Sequence, residues 1–161
     1  MNIAIALSMA VDAHARRVAV VDTDRELTYA QLLEAAARLA ARVPTQATCV
    51  AAVGLSGCDT AICLFGAAIA GRPYAPLNHR LPHEQLLELV RRLNGALIVA
   101  GEAYREPTTR GGATVTTVHQ LTANAARPLV VSRMTWRRAS VGEGSASTSP
   151  SALKRFVMRL R

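Results

Sequence analysis

Cys49–Val53 is a run of five consecutive apolar residues, and it constrains this chain more than any other segment. A strand that is apolar at every position needs cover on both of its faces. Gly54-Leu55-Ser56-Gly57 supplies a turn, and an apolar helix is expected from about Asp59 to Ala70, closed by Gly71. Arg72–Ala75 predicts a short strand. Pro82 suits the first position of the next helix, whose residues Leu86, Leu89, Val90 and Leu93 share one face until Asn94-Gly95 stops it. Leu97–Ala100 predicts a strand, and Thr114–Val118 one more. Strand and helix alternate, which implies βαβ crossovers and a mainly parallel sheet. The expected class is α/β, with helices on both faces of an incomplete doubly wound sheet.

Upstream, residues 2–15 read as an amphipathic helix with Ile3, Leu7, Ala10 and Val11 at helical spacing. Val18–Val21 is a β-branched strand, Asp22-Thr23-Asp24 a turn, and Glu26-Leu27 a returning strand. Thr28 caps the following helix. Gln31 lies three residues on, so the hydroxyl and the amide can each satisfy an orphan backbone donor of the other. Leu32, Ala36, Leu39, Ala40 and Val43 form its apolar stripe, and Pro44 ends it.

The pattern fails after about Thr122, so residues 1–121 are expected as one partial subdomain and 122–161 as an irregular, disordered basic tail. The charge follows the same division. Residues 1–126 hold 11 basic and 10 acidic side chains, whereas 127–161 hold eight basic ones and only Glu143 as an acid. The tail therefore carries +7 of the chain's +8, and the folded part is nearly neutral. Trp136 and Phe156 lie among these arginines, but two aromatics give little for bases to stack on, so no specific nucleic acid is expected. Thr60–Gly71 is apolar over only 12 residues, too short to cross a bilayer. No basic residue precedes the apolar run Ile3–Val11, so a signal peptide is not expected. Cys49, Cys58 and Cys63 form no CxxC pair and suit burial as small apolar groups in a reducing cytoplasm.

Candidate chemical residues each have a plainer reading. Gly54-x-x-Gly57 sits between a strand and a helix, where a phosphate can rest on helix amides. It lacks the full glycine fingerprint, and Asp59 would repel an anion, so a simple βα turn is expected. His79 and His83 are four apart but Pro82 separates them, which argues against a metal pair on one helix. His14 and His119 are isolated. Ser8 and Ser56 lack the setting of a nucleophile. Arg91-Arg92 reads as a solvated helix face. No catalytic, cofactor-binding or metal-binding residue is assigned.

Phe65–Pro82 (FGAAIAGRPYAPLNHRLP) and Leu27–Leu32 (LTYAQL) resemble the N-terminal end of the adenylate-forming, AMP-binding superfamily, the acyl-CoA synthetases and fatty-acid–CoA ligases among them. The resemblance spans roughly residues 3–120 in order and spacing. Asn78 after Pro76-Leu77 leans toward acyl- or aryl-CoA ligases over the amino-acid-activating domains of peptide synthetases. It implies an enzyme that activates a carboxylic acid with ATP and magnesium, then transfers the acyl group to CoA. The family's Ser/Thr/Gly-rich loop ending in Pro-Lys, its Thr-Glu pair, its ribose-binding Asp and its catalytic Lys have no match here, and Gly142–Pro150 is not that loop. The resemblance thus implies a truncated, catalytically silent ligase piece with no cofactor of its own, and a downstream ligase chain as its partner. The alternatives are half of a split ligase, a non-catalytic binding or assembly module, and nucleic-acid binding by the tail. The tail also reads as the product of a shifted frame. Met134-Thr135 forces an aspartate codon in the alternate frame, where resembling enzymes carry acidic residues ahead of the phosphate loop.

Overall fold

A computed structural model describes residues 2–109 and 115–123, and the tail expectations lie outside them. In chain order the elements are α1 (Ile3–His14), β1 (Val18–Val21), β2 (Glu26–Thr28), α2 (Tyr29–Ala40), β3 (Val50–Val53) and α3 (Gly57–Ile69). They continue with β4 (Tyr74–Leu77), α4 (His83–Arg92), β5 (Leu97–Ala100), α5 (Glu102–Thr109), β6 (Val115–Thr116) and α6 (Val118–Thr122).

Strands β3 to β6 form one sheet in the order β4-β3-β5-β6, and every pairing is parallel. The alternation of side chains along β3 and β5 divides the core in two. Val50, Ala52, Leu97 and Val99 face Leu7 of α1, Leu32 and Leu39 of α2, Ile62, Cys63 and Ala67 of α3, and Leu121 of α6. Ala51, Val53, Ile98 and Ala100 face Leu86 and Val90 of α4 and Tyr104 of α5. All eight strand residues are buried, as a strand covered on both faces requires. The sheet is thus wound on both sides, the architecture that the apolar run at residue 49 demands.

Local chemistry sets the element ends. The Thr28 hydroxyl accepts from Gln31 N at 3.3 Å, and Gln31 Oε1 accepts from Thr28 N at 2.9 Å. Thr117 and Gln120 repeat this reciprocal cap at α6. β1 and β2 make a separate antiparallel hairpin with a bulge between Val18 and Val20. The extra residue shifts the side-chain phase, so Val18 and Val21, three apart, are both exposed.

Several expectations need correction. The segment predicted as a strand to Val118 stops at Thr116, because Thr117 caps a helix that contains Val118. β4 runs from Tyr74 to Leu77, two residues later than the strand expected at Arg72–Ala75. Pro82 is the N-cap of α4, one residue outside the helix it was expected to begin. On α1 the buried positions are Ala4 and Leu7, while Ile3 is exposed at 42%. Asn2 explains that rotation: its amide donates to Ala68 O at 2.8 Å and fixes the start of α1 against α3.

At the outer edge of the sheet, Val50 N donates to Pro73 O at 2.9 Å. With Val50 opposite Tyr74, the parallel ladder turns the backbone of Ala75 and Leu77 toward β3 and that of Tyr74 and Pro76 outward. Pro76 therefore stands where its missing N–H breaks no bond within the sheet.

Candidate functional site

In an open parallel sheet, ligands gather outside the C-terminal strand ends, where successive connections leave toward opposite faces. Here that place lies between β3 and β5. β3 continues into α3 on one face and β5 into α5 on the other.

This crevice is filled by the protein's own groups. Gly101 N donates to Val53 O at 2.8 Å, drawing the two strand ends together. A Cβ on Gly101 would stand 2.5 Å from Gly54 O. The Tyr104 ring lies over Gly54, against the place where a side chain there would begin. Gly54 has φ +62°, a backbone region that suits glycine. His79, just beyond β4, meets Tyr104 edge-on with ring centroids 5.1 Å apart.

The start of α3 is filled as well. Asp22, in the turn of the β1–β2 hairpin, accepts from Cys58 N at 3.2 Å through Oδ2 and from Thr23 N at 2.8 Å through Oδ1. Ser56 is the N-cap but its side chain makes no capping bond, so Asp22 supplies a carboxylate from 36 residues away. Arg25 of the same hairpin pairs with Asp59 in the first turn of α3. An incoming phosphate at Gly54–Gly57 would meet two carboxylates already in place. At this edge the residues do not fit the phosphates of ATP.

The other candidates stay apart. His79 lies in the turn before α4 and His83 is its first residue. Among the described residues no group of three His, Cys, Asp or Glu side chains could hold a metal ion. His14 ends α1 and His119 lies in α6, both exposed. Ser8 is within α1. Arg91 and Arg92 are exposed on α4, where Arg92 Nε contacts Glu88 Oε1 at 3.1 Å. The three thiols are free and buried. Trp136 and Phe156 lie outside the described residues.

Burial, with a smaller contribution from the Asp59 charge, pushes the Cys63 thiol up to about 12. Burial also raises Tyr74, with Cys63 as the secondary cause. A thiol that ionises less readily when folded favours the native state fully below its unfolded value of 9.0, and that contribution is lost as pH rises toward 12. Chemical denaturation followed from pH 8 to pH 11 should show stability falling above pH 9, by up to about 1.4 kcal/mol per pH unit. Cys63→Ala should flatten that part of the profile, and an unchanged slope would remove Cys63 as its source.

Sequence reasoning missed Tyr104, Asp22 and a cationic groove beside His14. Tyr104 lies on α5, a helix hidden by Pro107 within it. Asp22 reads locally as a turn residue, and only the tertiary fold brings it to α3.

Among known proteins, the model of the family described as "AMP-binding enzyme" matches residues 7–155, a span that runs past the boundary expected near residue 121. The nonribosomal peptide synthetase criC of Aspergillus cristatus is 26% identical over 135 residues, which are 82% of this chain and 6% of that protein. The crystal structure of the anthranilate CoA ligase AuaEII in complex with anthranoyl-AMP superimposes with a TM-score of 0.65 at 16% identity. That likeness covers 76% of this chain and 27% of the ligase. The peptide synthetase FmoA3 gives a TM-score of 0.68 at 19% identity, covering 80% of this chain and 15% of FmoA3. The chain thus spans a small part of the length of the proteins it matches, and the two structures share its N-terminal α/β fold.

Proposed function

The chain belongs to the AMP-binding enzyme family, and from that premise we propose that it is a scaffold portion of an acid-activating enzyme, silent until the remaining portion is supplied. One observation carries this reading. The crevice where such a sheet would take a ligand is occupied by Tyr104, and the start of α3 by the Asp22 carboxylate. The described residues form a sheet and its covering helices. A downstream ligase chain is the partner this reading calls for, and a reducing cytoplasm suits the three free thiols.

Two kinds of acid-activating enzyme are distinguishable. Asn78 favours a CoA ligase, whereas the sequence relatives are peptide synthetases, which favours an amino acid as the activated substrate. No helix among the described residues is long and apolar enough to cross a membrane.

The test has two arms. The full chain alone, assayed for ATP–pyrophosphate exchange with a panel of aryl, fatty and amino acids, should give no exchange above the blank. Residues 2–123 grafted in place of the corresponding part of AuaEII should retain exchange with anthranilate, the specificity of the host. Acid-dependent exchange by the chain alone would overturn the scaffold reading, and a folded but inactive graft would overturn interchangeability. Sequencing of the locus from codon 115 onward tests the proposed shifted frame. A second frame continuing into a Ser/Thr/Gly-rich loop would support it, and its absence would make the tail a genuine part of the protein.

A further inference from the structure

The turn from α1 to β1 gathers positive charge that the fold does not neutralise. His14 closes α1, and Arg16 and Arg17 follow it before β1 begins. Both arginines are exposed and neither forms an ion pair with a described residue. With Val18 and Tyr29, these three side chains line an open groove of about 510 Å³ that has no carboxylate among its lining residues.

The groove stands on a fixed base. Tyr29 N donates to Arg17 O at 3.0 Å, and Ala30 N donates to Ala15 O at 3.1 Å. These bonds staple the turn to the first turn of α2 and hold the backbone of both arginines in place. They also bring the positive end of the α2 dipole to the groove. The first α2 amides are already taken by Arg17, Ala15 and Thr28, so the helix contributes field and no free donors.

We propose that this groove binds a small phosphoryl anion of the pyrophosphate type. Two guanidinium forks can each present paired N–H donors to phosphate oxygens, with Tyr29 forming part of the groove's wall. The open mouth leaves the remaining oxygens in water, which suits a highly charged ion better than an apolar ligand. This inference stands apart from the acid-activation reading and can fail without it.

The test is isothermal titration of the full chain with sodium pyrophosphate, free of metal, at low ionic strength. Saturable binding is expected, and Arg16→Gln with Arg17→Gln should weaken it at least tenfold. Arg91→Gln with Arg92→Gln removes the same charge from the exposed face of α4 and should leave the affinity within twofold. That control matters because the tail carries seven of the chain's arginines and one lysine. Inorganic phosphate and adenosine 5′-monophosphate should show the same loss if the phosphoryl group itself is recognised. Absence of saturable heat overturns the proposal, as does equal weakening in the two double variants or no weakening at Arg16 and Arg17. A thermal melt of each variant separates lost binding from lost fold. If the Arg16/Arg17 double variant melts early, Arg16→Gln alone is judged by the same comparison.

Discussion

Gly101→Ala is expected to destabilise the chain by about 3 kcal/mol, in the range of overpacking at a site that cannot yield. The added methyl would stand 2.5 Å from Gly54 O and 3.2 Å from Gly54 C. Both are backbone atoms, so no side-chain rotation relieves the clash. Gly101 N is also committed to Val53 O at 2.8 Å. Moving Gly101 away would break that bond and open the junction between the two central strands. Denaturant unfolding should show a lower midpoint with little change in slope, because the native surface is preserved while its stability falls. A loss below about 0.5 kcal/mol, the ordinary range for a harmless substitution, would show that the junction has slack.

Leu39→Ala is expected to cost about 3 kcal/mol, the middle of the range for truncating a buried leucine. Leu39 is fully buried, at 0% exposure, where α2 crosses α3. Gly66 allows that crossing to be close. A Cβ there would stand 2.6 Å from Leu39 Cδ2 and 3.1 Å from Ala36 O. The two helices already meet near backbone contact, so they cannot close over the space that the truncated leucine leaves. Gly66→Ala should destabilise the parent chain yet cost less in the Leu39→Ala background, where its methyl finds room. A double-mutant cycle should give a favourable coupling of about 1 kcal/mol. Simple additivity would mean that Leu39 and the Gly66 position do not share one packing site. Since a domain of this size is stable by roughly 5–15 kcal/mol, either Gly101→Ala or Leu39→Ala removes a large share of the total.

The sequence carried those parts of the fold that depend on neighbours along the chain. The Thr28–Gln31 cap, Leu32, Ala36 and Leu39 of the α2 stripe, and the fully apolar strands at Val50 and Leu97 are local patterns that appear where spacing placed them, but α2 ends at Ala40, short of the Val43 and Pro44 expected to close it. Element ends that depend on packing were harder to read. Ile3 was expected on the buried side of α1, but the Asn2–Ala68 bond turns Ala4 and Leu7 inward. Val118 is β-branched and reads as strand, yet Thr117 and Gln120 form a cap that starts a helix at Val118. The site was less legible still. Tyr104 reaches Gly54 across 50 residues and Asp22 reaches Cys58 across 36, and neither contact leaves a periodic trace. Arg16 and Arg17 look like ordinary solvated charge until the α1–β1 turn is seen stapled to α2.

Pro76 gives this sheet a direction of growth. Along the outer margin of β4, a proline nitrogen stands where an incoming strand would look for a donor, so a neighbouring copy cannot continue the ladder through that point. Stacking of chains edge to edge, the first step toward a fibril, is interrupted on this side at every copy. Among the described strands, the opposite margin at β6 carries no such interruption. Among the described strands, β4 is the guarded margin.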